Sequence, residues 1–315
     1  MEIGITVALF LLGLLFIVKG GDYFVDAAVW MAEVSGIPRF IIGATVVSLA
    51  TTLPELMVSV MGVLEGEVDL AVGNAVGSVT ANLGLILGIS VICIPSAAGR
   101  GQFALKAVLM VSAAAVLLFL CWGGELPALS SLLLLAIFAL FVWVNLRDAK
   151  AGVSRRESRG CPVSRRRAFV MACKFLLGVL GIVAGSQLLI HKGSAIAVLL
   201  GVPASIIGVT LVAVGTSLPE LVTTVTSIVK KEASMSVGNI IGANVIDLTL
   251  ILPVCSLLSG GRLGIGRQTV ALDLPTCLLV CLIAVVPPLL EERFRRWQGV
   301  VLLGVYLMYV VVLVS

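Results

Sequence analysis

Two carboxylates stand where carboxylates are costly. Glu55 lies in ATTLPELM and Glu220 in GTSLPELV, and both motifs sit inside long apolar runs. An acid in the interior of a bilayer costs at least ~2.5–3.5 kcal/mol, so it is kept for what it binds or transfers. The neighbouring residues point to a hard cation. Pro54 and Pro219 have no backbone N–H, and each frees a carbonyl one turn back, near Ala50 and Gly215. Thr51, Thr52, Thr216 and Ser217 add hydroxyl oxygens. Two like charges at close range need a cation or a proton between them. A shell of carboxylate, hydroxyl and carbonyl oxygens suits Ca²⁺ far better than Zn²⁺. The single His, His191, and the Cys residues lie away from both motifs.

A second pair of segments adds polar groups. Ser78 and Asn82 are four residues apart and share a helix face; the corresponding residues of the other segment are Ala243 and Asp247. Asp247 is thus a third intramembrane acid, without a charged counterpart. Gly73, Gly77, Gly84, Gly238 and Gly242 are read as close-packing positions. Asn74 and Asn239 are read as braces for the interrupted helices rather than as ion ligands.

The elements that must position these groups are membrane spans. Of 315 residues, 60% are hydrophobic and 12% charged, against roughly 45–50% and about 25% in soluble globular proteins. The mean hydropathy is +1.19. The apolar runs are continuous rather than alternating, which selects helices over a β-barrel. The fold expected is all-α: a polytopic membrane protein of ten transmembrane helices. The spans are placed near 3–21, 39–64, 69–94, 104–122, 126–146, 168–190, 204–229, 234–258, 268–288 and 297–314. The first run lacks a basic n-region and a cleavage site, so it is read as a span and not as a signal peptide. The seven Cys are read as packing residues. The net charge of +4 is not a nucleic-acid signature; the basic residues are expected in connections, where they set orientation. Seventeen of the 21 Lys and Arg fall on one side, including Lys106 and the whole 147–167 stretch. That side is expected to be cytoplasmic and both termini external, in the plasma membrane.

The chain is also a duplication. Shifted by 165 residues, positions 36–87 align with 201–252 without a gap, and 22 of the 52 pairs are identical. Apolar composition alone would not match Pro54 with Pro219, Glu55 with Glu220, Gly73 with Gly238 and Asn74 with Asn239. Five spans per copy is odd, so the copies enter the membrane from opposite sides. The chain is therefore divided into two inverted five-helix repeats, 1–146 and 168–315, joined by a basic cytoplasmic linker, 147–167. The alpha motifs span 43–88 and 208–253. Inverted repeats with interrupted helices are the mark of a secondary transporter. An intramembrane enzyme is not supported: there is no GxGD, no HExxH and no nucleophile–His pair. A channel would not need mirrored gates.

At GTSLPEL, GNIIGANVIDL and their counterparts in the first half, the sequence resembles the cation/Ca²⁺ exchanger superfamily, specifically its prokaryotic sodium/calcium exchanger type. The resemblance covers nearly the whole chain. It departs at Ala50, Thr52 and Val79, where Gly, Ser and Asn are usual, and at Ala243, where Ser is expected. It implies a central cluster of cation sites, with Glu55 and Glu220 sharing Ca²⁺ and contributing to Na⁺ sites. Thr51, Thr52, Thr216, Ser217, Ser78, Asn82 and Asp247 would add side-chain oxygens, and Ser48 and Ala213 backbone carbonyls. It also implies antiport of Na⁺ against Ca²⁺ by alternating access, with the first and sixth helices sliding across the core. No cofactor is implied, because Ca²⁺ and Na⁺ are cargo. The partners are those ions and the lipid bilayer, with no nucleic acid, and a monomer is the working expectation. The rival reading within the same fold is a Ca²⁺/H⁺ antiporter or a K⁺-coupled variant.

Overall fold

The computed structural model describes residues 2–95, 100–157, 164–199, 215 and 217–314. Eleven helices are described. They are α1 (Glu2–Ser35), α2 (Arg39–Thr51), α3 (Leu53–Leu64), α4 (Val68–Cys93), α5 (Arg100–Leu120), α6 (Ala128–Glu157), α7 (Arg165–Leu199), α8 (Leu218–Val229), α9 (Ala233–Leu258), α10 (Thr269–Glu291) and α11 (Arg296–Val314). Among the described residues eight helices are long and apolar enough to cross a membrane. The α2–α3 pair, bent by 42° at Thr52, makes a ninth span. The bend is where Pro54 in the first turn of α3 breaks the hydrogen-bond ladder. Of the span expected over 204–229, only α8, Gly215 and Ser217 lie within the described residues.

The helices run longer than the hydropathy pattern suggested. α1 continues past the expected end near 21 to Ser35, carrying Asp22 and Asp26. α6 continues through Arg147 and Lys150 to Glu157, so more than half of the segment read as a linker is helix. Lys106, which falls near the start of the span expected over 104–122 and is counted on the basic side, lies inside α5 with 1% exposure. Its Nζ donates to Asp148 Oδ2 at 2.6 Å and to Gln102 O at 3.2 Å, and it sits 5.6 Å from the centre of the Phe40 ring. A buried ammonium is tolerated because a carboxylate on α6 pairs with it. A two-stranded antiparallel ribbon was not foreseen: β1 (Glu125–Pro127) pairs with β2 (Arg262–Gly264), Leu126 opposite Leu263.

Small residues set the crossings that bring the site together. α9 passes so close to α2 that a Cβ on Gly43 would lie 2.2 Å from Met235 O. One on Gly238 would lie 2.2 Å from Phe40 O, and one on Gly242 2.5 Å from Ala44 O. Without a hydrophobic drive between helices in lipid, such backbone contact is the main source of packing. α1 and α7 form an antiparallel pair of the same kind, seamed by Gly13, Gly20, Gly178 and Gly185. Much of the outer surface of that pair is exposed Leu, Val and Phe, as lipid contact requires. The main core gathers residues of α2, α4, α5, α9 and α10, among them Phe40, Val76, Met110, Ile240 and Val280.

Candidate cation-binding site

Glu55 and Glu220 occupy the first turns of α3 and α8, one residue after a proline in each case. Helix N-termini present free N–H groups and a positive dipole end, which tolerate a carboxylate there. Both side chains are 1% exposed. They lie close enough to act on one another electrostatically, and Asp247 acts on both. The two motifs touch directly: Thr52 Oγ1 donates to Glu220 Oε1 at 3.4 Å. Thr51 Oγ1 lies 3.4 Å from Asn239 Oδ1 on α9 and 3.3 Å from Ser48 O. Residues 188 and 168 positions apart in the chain are thereby joined at one point.

The oxygens gathered there lack donors. Among the described residues, neither carboxylate oxygen of Glu55 or of Asp247 has a hydrogen-bond partner, nor has Glu220 Oε2. The same holds for Ser78 Oγ, Ser217 Oγ and Asn82 Oδ1. Buried polar atoms are almost always paired, so a concentration of acceptor oxygens without donors calls for a cation or protons. Among the described residues no three of His, Cys, Asp and Glu converge tightly enough to hold one metal between them. The arrangement is instead two buried carboxylates coupled to one another and to Asp247, with the Thr52 hydroxyl on Glu220. That composition suits a hard cation.

Of the residues singled out in the sequence, the structure buries Ser48, Thr51, Thr52, Glu55, Ser78, Asn82, Ser217, Glu220 and Asp247. Thr216 and Ala213 lie outside the described residues. The Ser48 carbonyl accepts from Thr52 N at 2.9 Å as well as from Thr51 Oγ1. Asn82 and Asp247 each open a π-helical turn, at Asn82–Leu87 and Asp247–Ile251. Such turns put irregular backbone at matching places of the two halves, and they occur preferentially at functional positions.

The asparagines act as braces. Asn74 Nδ2 donates to Ser59 Oγ at 2.9 Å and to Glu55 O at 3.1 Å, pinning α3 to α4. Asn239 Nδ2 donates to Thr223 Oγ1 at 3.0 Å, pinning α8 to α9. A third brace was not singled out: Asn244 Oδ1 accepts from Asn82 Nδ2 at 3.1 Å. The position matching Asn244 in the first half is Val79, which has no amide to offer Asp247. The lone acid and the missing amide are therefore one asymmetry. Asp273, a further buried acid, was also passed over; its Oδ1 accepts from Tyr309 Oη at 3.1 Å. Its signal was an Asp within an otherwise apolar span.

The sodium/calcium exchanger protein family model matches residues 5–147 and 171–315. The chain belongs to this family. Its fold follows that of the sodium-calcium exchanger NCX_Mj soaked with Na⁺ and Sr²⁺, with a TM-score of 0.85, 25% identity, and 98% of this chain and 99% of that one covered. Among curated relatives, the sodium/calcium exchanger MaX1 of Methanosarcina acetivorans is 29% identical over 99% of both chains. The inner membrane protein YrbG of Escherichia coli is 31% identical over 98% of this chain and 97% of its own. The family are cation antiporters of the membrane, and the donor-poor carboxylates of this chain lie in the first turns of α3 and α8.

Proposed function

We propose that the chain exchanges Na⁺ for Ca²⁺ across the membrane by alternating access, with Ca²⁺ held between Glu55 and Glu220. The observation that carries this reading is the pair of fully buried, electrostatically coupled carboxylates, three of whose four oxygens lack donors. A divalent cation matches two carboxylates. Na⁺ and Ca²⁺ are both hard cations close in size, so overlapping oxygen sites accept either but not both together. Thr51, Thr52, Thr216, Ser217, Ser78, Asn82 and Asp247 supply the remaining side-chain oxygens, and Ser48 and Ala213 carbonyls. Exchange follows because two uncompensated buried acids are too costly for the empty carrier to switch.

The reading includes ten spans in two inverted repeats, 1–146 and 168–315. Contacts between connections support the inversion. The turn at 65–67 leads to Asp69, whose Oδ1 would lie 3.1 Å from a Cβ on Gly266, beside the β1–β2 ribbon. Its counterpart turn, 230–232, meets the other ends of the helices: Lys230 pairs with Asp26, and Glu232 with Arg39 at 3.0 Å. Equivalent turns thus sit at opposite ends of the bundle. The end with the basic segment around 147–167 is assigned to the cytoplasm and both termini to the outside, in the plasma membrane.

The test is Na⁺-driven ⁴⁵Ca²⁺ flux in proteoliposomes. Glu55→Gln and Glu220→Gln are each expected to abolish it while leaving a monodisperse, folded protein; wild-type flux in either variant refutes the assignment. One feature favours a second reading. Asp247, buried and without a donor, is suited to carry a proton or a K⁺, as a Ca²⁺/H⁺ or K⁺-coupled antiporter would require. Ca²⁺ uptake that follows a pH or K⁺ gradient without Na⁺ would select it.

A further inference from the structure

The two ends of the bundle are closed differently. At the end carrying Arg39, α1 lies against α8: a Cβ on Gly21 would be 2.8 Å from Val222 Cγ1 and 2.9 Å from Thr226 Oγ1. The contact is clasped by Lys230, whose Nζ lies 2.6 Å from Asp26 Oδ1, 2.8 Å from Asp22 O and 3.4 Å from Asp22 Oδ1. Lys174 on α7 approaches Asp26 Oδ2 at 3.4 Å. The 165-residue shift carries this arrangement onto α7 and α3. Gly21 becomes Ser186, Val222 becomes Met57 and Thr226 becomes Met61. That face of α3 is bare, with Met57 66% and Met61 50% exposed. The same shift turns Asp26 into His191 and Lys230 into Glu65. An acid on the helix and a base on the turn become a base on the helix and an acid on the turn. The charges are reversed, yet complementarity survives at both positions. His191 and Glu65 are both exposed, and neither has an ion-pair partner among the described residues.

Inverted repeats exchange conformations as a carrier turns over. We infer that His191 and Glu65 form the counterpart latch in the opposite-facing state, with α7 seated on the bare face of α3, and that a proton on His191 is the ligand that closes it. The inference rests on the alternating-access reading above. Carboxylates and ammonium groups ordinarily keep their charges near neutral pH, whereas an imidazole gains its charge between about pH 5 and 8. One latch is therefore permanent and the other proton-operated, so acid on the Glu65 face favours the state closed on that face. The charged groups around the proposed latch include Arg267, next to the Gly266 that Asp69 approaches. Lys192 adjoins His191 on α7, and Glu67 and Asp69 flank Glu65. α1 has no ionisable residue between Ile3 and Val18, and the only acid of α8 is the buried Glu220.

The test uses the full chain in proteoliposomes. In the variant Glu65→Cys/His191→Cys, with Cys93, Cys161 and Cys173 replaced by Ser, mild oxidation is expected to form an intramolecular disulfide during exchange. The disulfide should stop ⁴⁵Ca²⁺ flux until it is reduced. A variant that exchanges normally and never cross-links overturns the inference and leaves the exchange reading intact. For the wild type, acidifying only the Glu65 face from pH 7.5 to 6 is expected to slow exchange several-fold. In His191→Gln the slowing should fall below about twofold, and His191→Lys should be slow at both pH values. An unchanged acid response in His191→Gln overturns the proton's role. Absence of Na⁺-driven flux in the wild type would defeat the exchange reading itself, and the inference with it.

Discussion

At the scale of single residues, the site is defined by what its oxygens lack. Glu55 and Asp247 have no donors for either oxygen, whereas Asn74 and Asn239 spend their amides on Ser59 and Thr223. The division separates ligands from braces. Removing a brace takes one hydrogen bond from a buried hydroxyl that still donates to a carbonyl, Thr223 to Pro219 O and Ser59 to Ala71 O, a loss of about 1 kcal/mol. Asn239→Ala is therefore expected to lower the thermal midpoint in detergent by several degrees and to weaken exchange. An unaltered midpoint would show that the brace carries no load. Ala243, fully buried where its counterpart is Ser78, has no hydroxyl. Ala243→Ser is expected to shift the Na⁺ dependence of exchange more than its Ca²⁺ affinity, and identical Na⁺ titrations would contradict that. The acids were legible in the sequence because a carboxylate in an apolar run has few bland explanations. The braces were only half legible. An Asn says that it will find a partner, but not which one, and Asn244 found Asn82 from 162 residues away.

At the scale of elements, glycine and proline do most of the positioning. Pro54 bends the span at Thr52 and turns the first turn of α3 toward the site. Gly238 and Gly43 let α9 and α2 meet at backbone distance. Gly238→Val is expected to prevent folding, because even a Cβ would stand 2.2 Å from Phe40 O. Gly304→Val, where nothing lies within 4 Å, is expected to be tolerated. Size-exclusion profiles of the two variants provide the check, and matching profiles would contradict the crossing described here. The spans themselves were readable from continuous apolar runs, but their ends were not. α6 continues to Glu157 because Arg147, Ala149, Lys150 and Ala151 are good helix residues, and hydropathy is silent about helix beyond the apolar run. The depth of Lys106 was not legible either. It stands near the start of the span expected over 104–122, and the Asp148 carboxylate, 42 residues on, explains its burial. The β1–β2 ribbon rests on two tripeptides more than 130 residues apart, too short to leave a pattern.

At the scale of the whole molecule, the duplication gives the chain its logic. Matching prolines, acids and asparagines fix two copies of one device, and the π-helical turns at Asn82 and Asp247 repeat it in the backbone. On the exchange reading proposed above, the departures from symmetry, Val79 against Asn244 and Asp26 against His191, are where the two faces of the carrier would differ in chemistry. The central claim is that the facing acids bind Ca²⁺ in competition with Na⁺. The direct measurement is ⁴⁵Ca²⁺ uptake into proteoliposomes with the Na⁺, K⁺ and H⁺ gradients imposed one at a time. An outward Na⁺ gradient alone should drive uptake that is lost in Glu55→Gln and Glu220→Gln. Uptake that ignores the Na⁺ gradient, or that survives in either variant, would contradict the account.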